Sequence, residues 1–219
     1  MTNWEKIVNG NHFVGLGIGH YELPKEHYKW LKKEVVNAKK KSIKFNTKLI
    51  GHIREEYSIM QCEDSFESFL IDCLESPWHK TVTYSTLYDI LPDKNKTSFY
   101  LDSMWVNYQK KYEFNPMHKH SGVFSFVIFI KIPYDLKKED DYFVELDKSV
   151  HEAHTSRLCF VNQRSDGLIH NTIVNVDKSF EGKMFLFPSM QQHMVYPFYT
   201  SNDYRITISG NIKFKYDGK

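Results

Sequence analysis

The chain has 219 residues, of which 41% are hydrophobic and 26% charged. That balance excludes a wholly disordered chain, and 10 Gly with 7 Pro exclude a collagenous or low-complexity one. A formal net charge of +2, from 29 basic against 27 acidic residues, supplies no overall basic field for nucleic acid.

Aromatic residues reach 16%, with 14 Tyr and 16 Phe, which favours strands and wide β cores over a helical bundle. Cys62, Cys73 and Cys159 are odd in number and have no metal-like spacing, as in a reducing compartment. The amino terminus has no signal-peptide apolar region, and the longest apolar run, 123–132, is too short to span a bilayer. These features predict a soluble, cytoplasmic protein with no membrane partner.

Gly15-Leu16-Gly17-Ile18-Gly19 leads to Pro24 rather than into a helix, so it reads as strand or turn and not as a phosphate loop. Residues 24–42 carry Tyr28, Leu31, Val35 and Val36 at helical spacing and predict a surface helix, its last turn rich in Lys39, Lys40 and Lys41. A second helix is expected from Asp64 or Ser65, with Phe66, Phe69, Leu70, Cys73 and Leu74 as its apolar stripe. Asp64 and Glu67 resemble a capping box, and Pro77 marks the stop.

From residue 99 the periodicity shortens. Strands are expected at 99–112, 123–133, 142–146, 158–162, 169–176, 183–188, 193–197 and 204–216, separated by turn signals such as Asn115-Pro116 and Ser165-Asp166-Gly167. Helices followed by about eight short strands predict one α+β, mainly β unit of the sandwich or jelly-roll kind.

The segment with most chemistry is Asn115-Pro116-Met117-His118-Lys119-His120. Two His at i and i+2 on an extended chain point to the same face and can reach one metal. Alone, such a pair is commonly incidental surface. His193, at the start of a later strand, adds a third imidazole that a jelly roll could bring alongside. Three ligands on one face leave coordination positions open, which suits non-haem Fe(II). Arg205, Thr207 and Ser209 share one face of the last strand, and a buried guanidinium beside a hydroxyl suits a carboxylate. The plainer alternative for Arg205 is a surface ion pair with Asp203 or a neighbour, the reading to prefer were His193 absent.

This order of motifs resembles the Fe(II)/2-oxoglutarate-dependent dioxygenases, in particular the phage and bacterial 2OG-Fe(II) oxygenases related to prolyl 4-hydroxylases. The likeness spans roughly residues 99–216 and is carried by Phe185-Leu186-Phe187-Pro188-Ser189, His193 and Arg205-Ile206-Thr207-Ile208-Ser209-Gly210-Asn211. It implies a double-stranded β-helix over residues 99–219 with residues 1–98 as a helical and mixed support packed on it. It implies iron at His118 and His193, the distal carboxylate of 2-oxoglutarate at Arg205 with Thr207, and contact of Tyr108 with that co-substrate. The expected reaction is hydroxylation of a C–H bond by dioxygen, with succinate and carbon dioxide released. The prolyl-hydroxylase likeness makes a peptidyl substrate the natural expectation.

His120 stands where most of these enzymes carry Asp or Glu. It completes a three-His site, or serves as a pocket residue beside another third ligand, or marks a site that has lost iron. Two rivals to the oxygenase therefore stand: a cupin-like three-His dioxygenase needing no 2-oxoglutarate, and a non-catalytic jelly-roll binding module. Other candidates have plainer readings. His151 and His154 read as solvated loop, Cys159 as core and Lys131 as a solvated strand end. Phe124, Phe126 and Trp105 read as core, and Arg157 and Arg164 as surface or substrate-facing.

Overall fold

The computed structural model describes residues 17–76, 97–146, 154–163 and 166–216. Pro77, His151 and Arg164 lie outside these residues. Helix α1 (Lys25–Lys41) buries His27, Leu31, Val35 and Ala38 on one face, while Val36 is 50% exposed on the other. It ends where Ser42 turns left-handed at φ 56 and its N–H bonds the Ala38 carbonyl. Helix α2 (Asp64–Leu74) buries the expected stripe, including Phe66, Phe69 and Leu70. The capping box is not formed: Glu67 Oε1 accepts from the Leu101 N–H at 2.8 Å, tying the helix to the sheet instead of closing its own first turn.

Among the described residues ten strands form two antiparallel sheets. The larger contains β1 (Gly19–Glu22), β8 (Lys183–Pro188), β5 (Phe124–Lys131), β10 (Arg205–Tyr216), β3 (Thr97–Gln109) and β2 (Glu55–Ser58), in that order. The smaller has the order β4 (Asn115–His118), β9 (Gln192–Val195), β6 (Leu158–Gln163), β7 (Ile169–Val174). This is the two-sheet, mainly β architecture expected of a double-stranded β-helix. Among the described residues no helix is long and apolar enough to cross a membrane.

Strand alternation sorts the side chains into two layers. On the helix side, Val106, Ile128, Leu186 and Ile208 pack with Leu31, Val35, Phe66 and Leu70. Between the sheets, Phe129, Phe160, Phe185 and Phe187 form a second cluster. Phe124 and Phe126 belong to the helix-side core.

Residues 142–146 are a correction to the sequence reading. They close helix α3 (Leu136–Leu146), not a strand. Asp135 Oδ1 accepts from the Lys138 N–H at 3.1 Å and starts the helix. Glu139, fully buried, accepts from the N–H groups of Tyr199 and Thr200 and from the Thr200 hydroxyl, so a loop fastens the helix to the barrel. The buried Arg157 joins the same region, donating to Thr155 O and Asn175 and ion-paired with Asp140, so it does not face a substrate.

Candidate metal centre and cavity

Three imidazoles meet at one end of the small sheet. His118 lies directly opposite His193 across the β4–β9 pair, and His193 is in turn opposite Phe160 on β6. His120, two residues on, shares the His118 face. Its backbone N–H donates to Ser189 O at 2.8 Å, and Ser189 Oγ donates to Gly122 O at 2.6 Å. Gly122 makes that turn at φ 100, where a side chain would be strained. One ligand atom from each of the three histidines lies within 4.8 Å of the others.

Hydrogen bonding sets the tautomers. His118 Nδ1 is 2.7 Å from Pro116 O and His193 Nδ1 is 2.9 Å from Gln191 O. A carbonyl can only accept, so each Nδ1 carries the proton and each Nε2 presents a lone pair. His120 Nε2 lies 3.2 Å from His193 Nε2. Burial lowers all three pKa values: His118 below the ordinary value, His120 down to about 4 with the His118 charge adding to it, and His193 well below. The three rings are therefore neutral at pH 7, the form that binds a cation.

The histidines line a cavity of about 550 Å³ between the two sheets. Its opposite wall carries Asn107 and Gln109 from β3 and Arg205, Thr207 and Ser209 from β10, paired as Thr207 with Asn107 and Arg205 with Gln109. Asn107 Nδ2 donates to Thr207 Oγ1 at 3.1 Å and Ser209 Oγ at 3.2 Å, and its Oδ1 accepts from Trp105 Nε1 at 3.1 Å. Arg205 is 3% exposed. Its guanidinium donates to Gln109 Oε1 from both Nε and Nη2, to Tyr134 Oη and Ser156 O from Nη1, and to Tyr196 O from Nη2.

Residues 103–211 match the family described as "Putative 2OG-Fe(II) oxygenase". The chain belongs to the 2OG-Fe(II) oxygenase family. The oxygenase resembles in fold a Pseudomonas putida prolyl-4-hydroxylase, at 15% identity and TM-score 0.52, over 90% of this chain and 92% of that one. It also resembles a Trichoplax adhaerens prolyl hydroxylase, solved in complex with a hypoxia inducible factor oxygen degradation domain peptide fragment. That likeness has 12% identity and TM-score 0.53, over 98% and 89% of the two chains. No curated protein matches the chain. Fe(II) and 2-oxoglutarate are the cofactor and co-substrate this family implies.

The oxygenase's residues fit the iron. His118 and His193 present Nε2 lone pairs, and His120 Nε2, 3.2 Å from His193 Nε2, has the spacing of a neighbouring ligand on one ion with metal–nitrogen bonds of about 2.1 Å once its own Nε2 is deprotonated. Pro116 O and Gln191 O hold the rings in place as outer partners do in metal sites.

Fit to 2-oxoglutarate is narrower. The single Gln109 Oε1 accepts from both Nε and Nη2 of Arg205, the edge a carboxylate would take with two oxygens, and the five hydrogen bonds use all the N–H donors of the guanidinium. A ligand carboxylate reaches Arg205 only by replacing that oxygen. Thr207 and Ser209 accept from Asn107 Nδ2, so neither hydroxyl proton is used in those two bonds.

Tyr108 does not face the cavity. It stands between two cavity-facing neighbours on β3, so its ring points to the opposite side, and its hydroxyl donates to Val35 O on α1 at 2.8 Å. Lys131 pairs with Asp203, which also removes Asp203 as the partner of Arg205. Sequence reasoning missed Asn107 and Gln109. The available signal was two amides at i and i+2 after Trp105 in an otherwise apolar, aromatic strand.

Proposed function

We propose that the chain hydroxylates a C–H bond of a substrate bound in the cavity, with His118, His120 and His193 holding Fe(II) and Arg205 and Thr207 holding 2-oxoglutarate. The convergence of three neutral imidazoles on one cavity in a 2OG-Fe(II) oxygenase carries this reading. The bound ion and co-substrate supply oxidative decarboxylation to succinate and carbon dioxide, coupled to oxygen insertion. The chain's own residues orient and shelter. Pro116 O and Gln191 O fix the rings of His118 and His193, and Trp105, 5.7 Å from the His120 ring, walls off water. The peptide held by the Trichoplax relative supports a peptidyl substrate here.

An anaerobic titration of the Fe(II)-loaded chain with 2-oxoglutarate tests the reading. A weak visible band is expected in the wild type and in His120→Asp, which restores the family's commoner carboxylate. No band is expected in His193→Ala or Arg205→Ala. A second reading, a three-His dioxygenase that uses iron without 2-oxoglutarate, is favoured by the filled Arg205 fork. Oxygen uptake with Fe(II) alone, and no band with 2-oxoglutarate, would select it.

A further inference from the structure

The wall of the cavity that carries Arg205 and Thr207 continues, two strands away from Thr207, into a polar group that the proposed reaction leaves unused. Glu56 on β2 pairs with Asn107 on β3, so it stands on the cavity wall, and it is 1% exposed. Its Oε2 accepts from Asn46 Nδ2 at 3.0 Å, while Oε1 has no hydrogen-bond partner among the described residues. Asn46 Nδ2 also donates to Ile53 O at 2.7 Å, which fixes the amide and leaves its Oδ1 buried without a partner. Asn115 Oδ1, in the cavity lining, is a third buried oxygen with no donor.

Buried acceptors of this kind carry a desolvation penalty that a donor removes. No neighbouring cation among the described residues provides one: Lys48, in the same lining, lies over the Phe45 ring at 5.2 Å from its centre. Lys44 donates instead to Arg54 O and Tyr57 Oη, both at 3.3 Å, and the other acid of the lining, Asp102, is paired with Lys213 at 2.8 Å. Phe45 and Trp105, stacked 4.8 Å apart in the lining, add aromatic surface of the sort cations favour. Burial, with the charge of Glu113 adding to it, pushes the Glu56 carboxyl up to about 7, so an arriving cation would also draw it into the ionised form.

We propose that the substrate carries a protonated nitrogen, a guanidinium or a primary ammonium, that docks on the Glu56 carboxylate with the Oδ1 atom of Asn115, both in the cavity lining. This rests on reading the cavity as the oxygenase site. It assigns the two positions on that wall different charges: the co-substrate's carboxylate at Arg205 and the substrate's cation at Glu56.

The test is calorimetric titration of the Fe(II)-loaded full chain, held anaerobic, at neutral pH. The probes are Nα-acetyl-arginine amide and Nα-acetyl-lysine amide, with Nα-acetyl-citrulline amide and Nα-acetyl-norleucine amide as their uncharged counterparts. At least one cation should bind about tenfold or more tightly than its neutral counterpart, and E56Q should abolish the difference. The arm that binds distinguishes guanidinium from ammonium. Equal binding of charged and neutral probes, undiminished preference in E56Q, or binding of neither cation overturns the proposal. Should E56Q fail to fold, Asn115→Ala should weaken the cation several-fold, and no change there is equally fatal. The Fe(II) and 2-oxoglutarate band is recorded on the same wild-type preparation. A band without cation binding sinks the substrate assignment alone, whereas cation binding without a band sinks the oxygenase reading.

Discussion

Gln109 and Glu56 are the two residues whose chemistry does most to set what the cavity accepts. The Gln109 oxygen receives Arg205 Nε at 2.9 Å and Nη2 at 2.6 Å, the pair of contacts a carboxylate would take. Gln109→Glu should seat an internal carboxylate there and raise the 2-oxoglutarate concentration needed for half-saturation by about tenfold or more. Gln109→Ala, which clears the fork, should lower it; both are read from the same visible titration. Glu56 acts on stability. Its carboxyl rises from 4.5 to about 7 on folding, so the unfolded chain gives up that proton at lower pH than the folded one. The stability it contributes is complete below pH 4.5 and declines as pH rises towards 7. E56Q should therefore match the wild type near pH 4 and exceed it by up to about 3 kcal/mol near pH 8, in urea unfolding of the metal-free chain. The imidazoles act in the opposite sense. With His120 lowered from 6.5 to about 4, stability is highest above 6.5 and falls as pH drops, equally in both proteins, so the difference between them isolates Glu56.

At the scale of elements, β10 is held between β3 and β5 at close quarters. A Cβ on Gly210 would lie 2.4 Å from Phe126 Cζ and 2.8 Å from the Ser103 carbonyl oxygen. The ring has some room to turn, but the backbone oxygen of a central strand does not. Gly210→Ala should destabilise the fold by about 1–3 kcal/mol, seen as a lower urea midpoint with an unchanged slope. Strands with sustained alternation were legible from sequence: 183–188 was expected and found to the residue, and 204–216 within one. Helix α3 was not, because Tyr142-Phe143-Val144 is an apolar triplet typical of strands, and the signals that outweigh it are a single Asp135 cap and a carboxylate bound by a remote loop. Tyr108 was misplaced for a related reason. Spacing to His118 places a residue along a strand, but only the parity of the whole strand, with Trp105, Asn107 and Gln109 facing inwards, says which side it occupies.

Across the molecule, the cavity is assembled from distant parts of the chain. The histidines and Arg205 were legible because they sit in ordered motifs on regular strands. Glu56 was not: β2 is the four-residue Glu-Glu-Tyr-Ser, too short to show alternation, and its role follows only from pairing with β3. The segment before residue 98 thus supplies both edge strands of the large sheet as well as helices α1 and α2. The pairing of His118 with His193 has a further consequence. Strand β4 is four residues long and lies at the edge of the small sheet, whereas His193 belongs to a strand flanked on both sides. An ion shared between them would pin the loosest strand to the interior, as a rivet does a flap. Withdrawing it with a chelator should speed amide exchange at His118 and His120 well before that at Phe126 or Ile208, and open residues 115–120 to proteases. In a living cell, the supply of iron would then govern how long each copy of the chain survives, and not only whether it turns over.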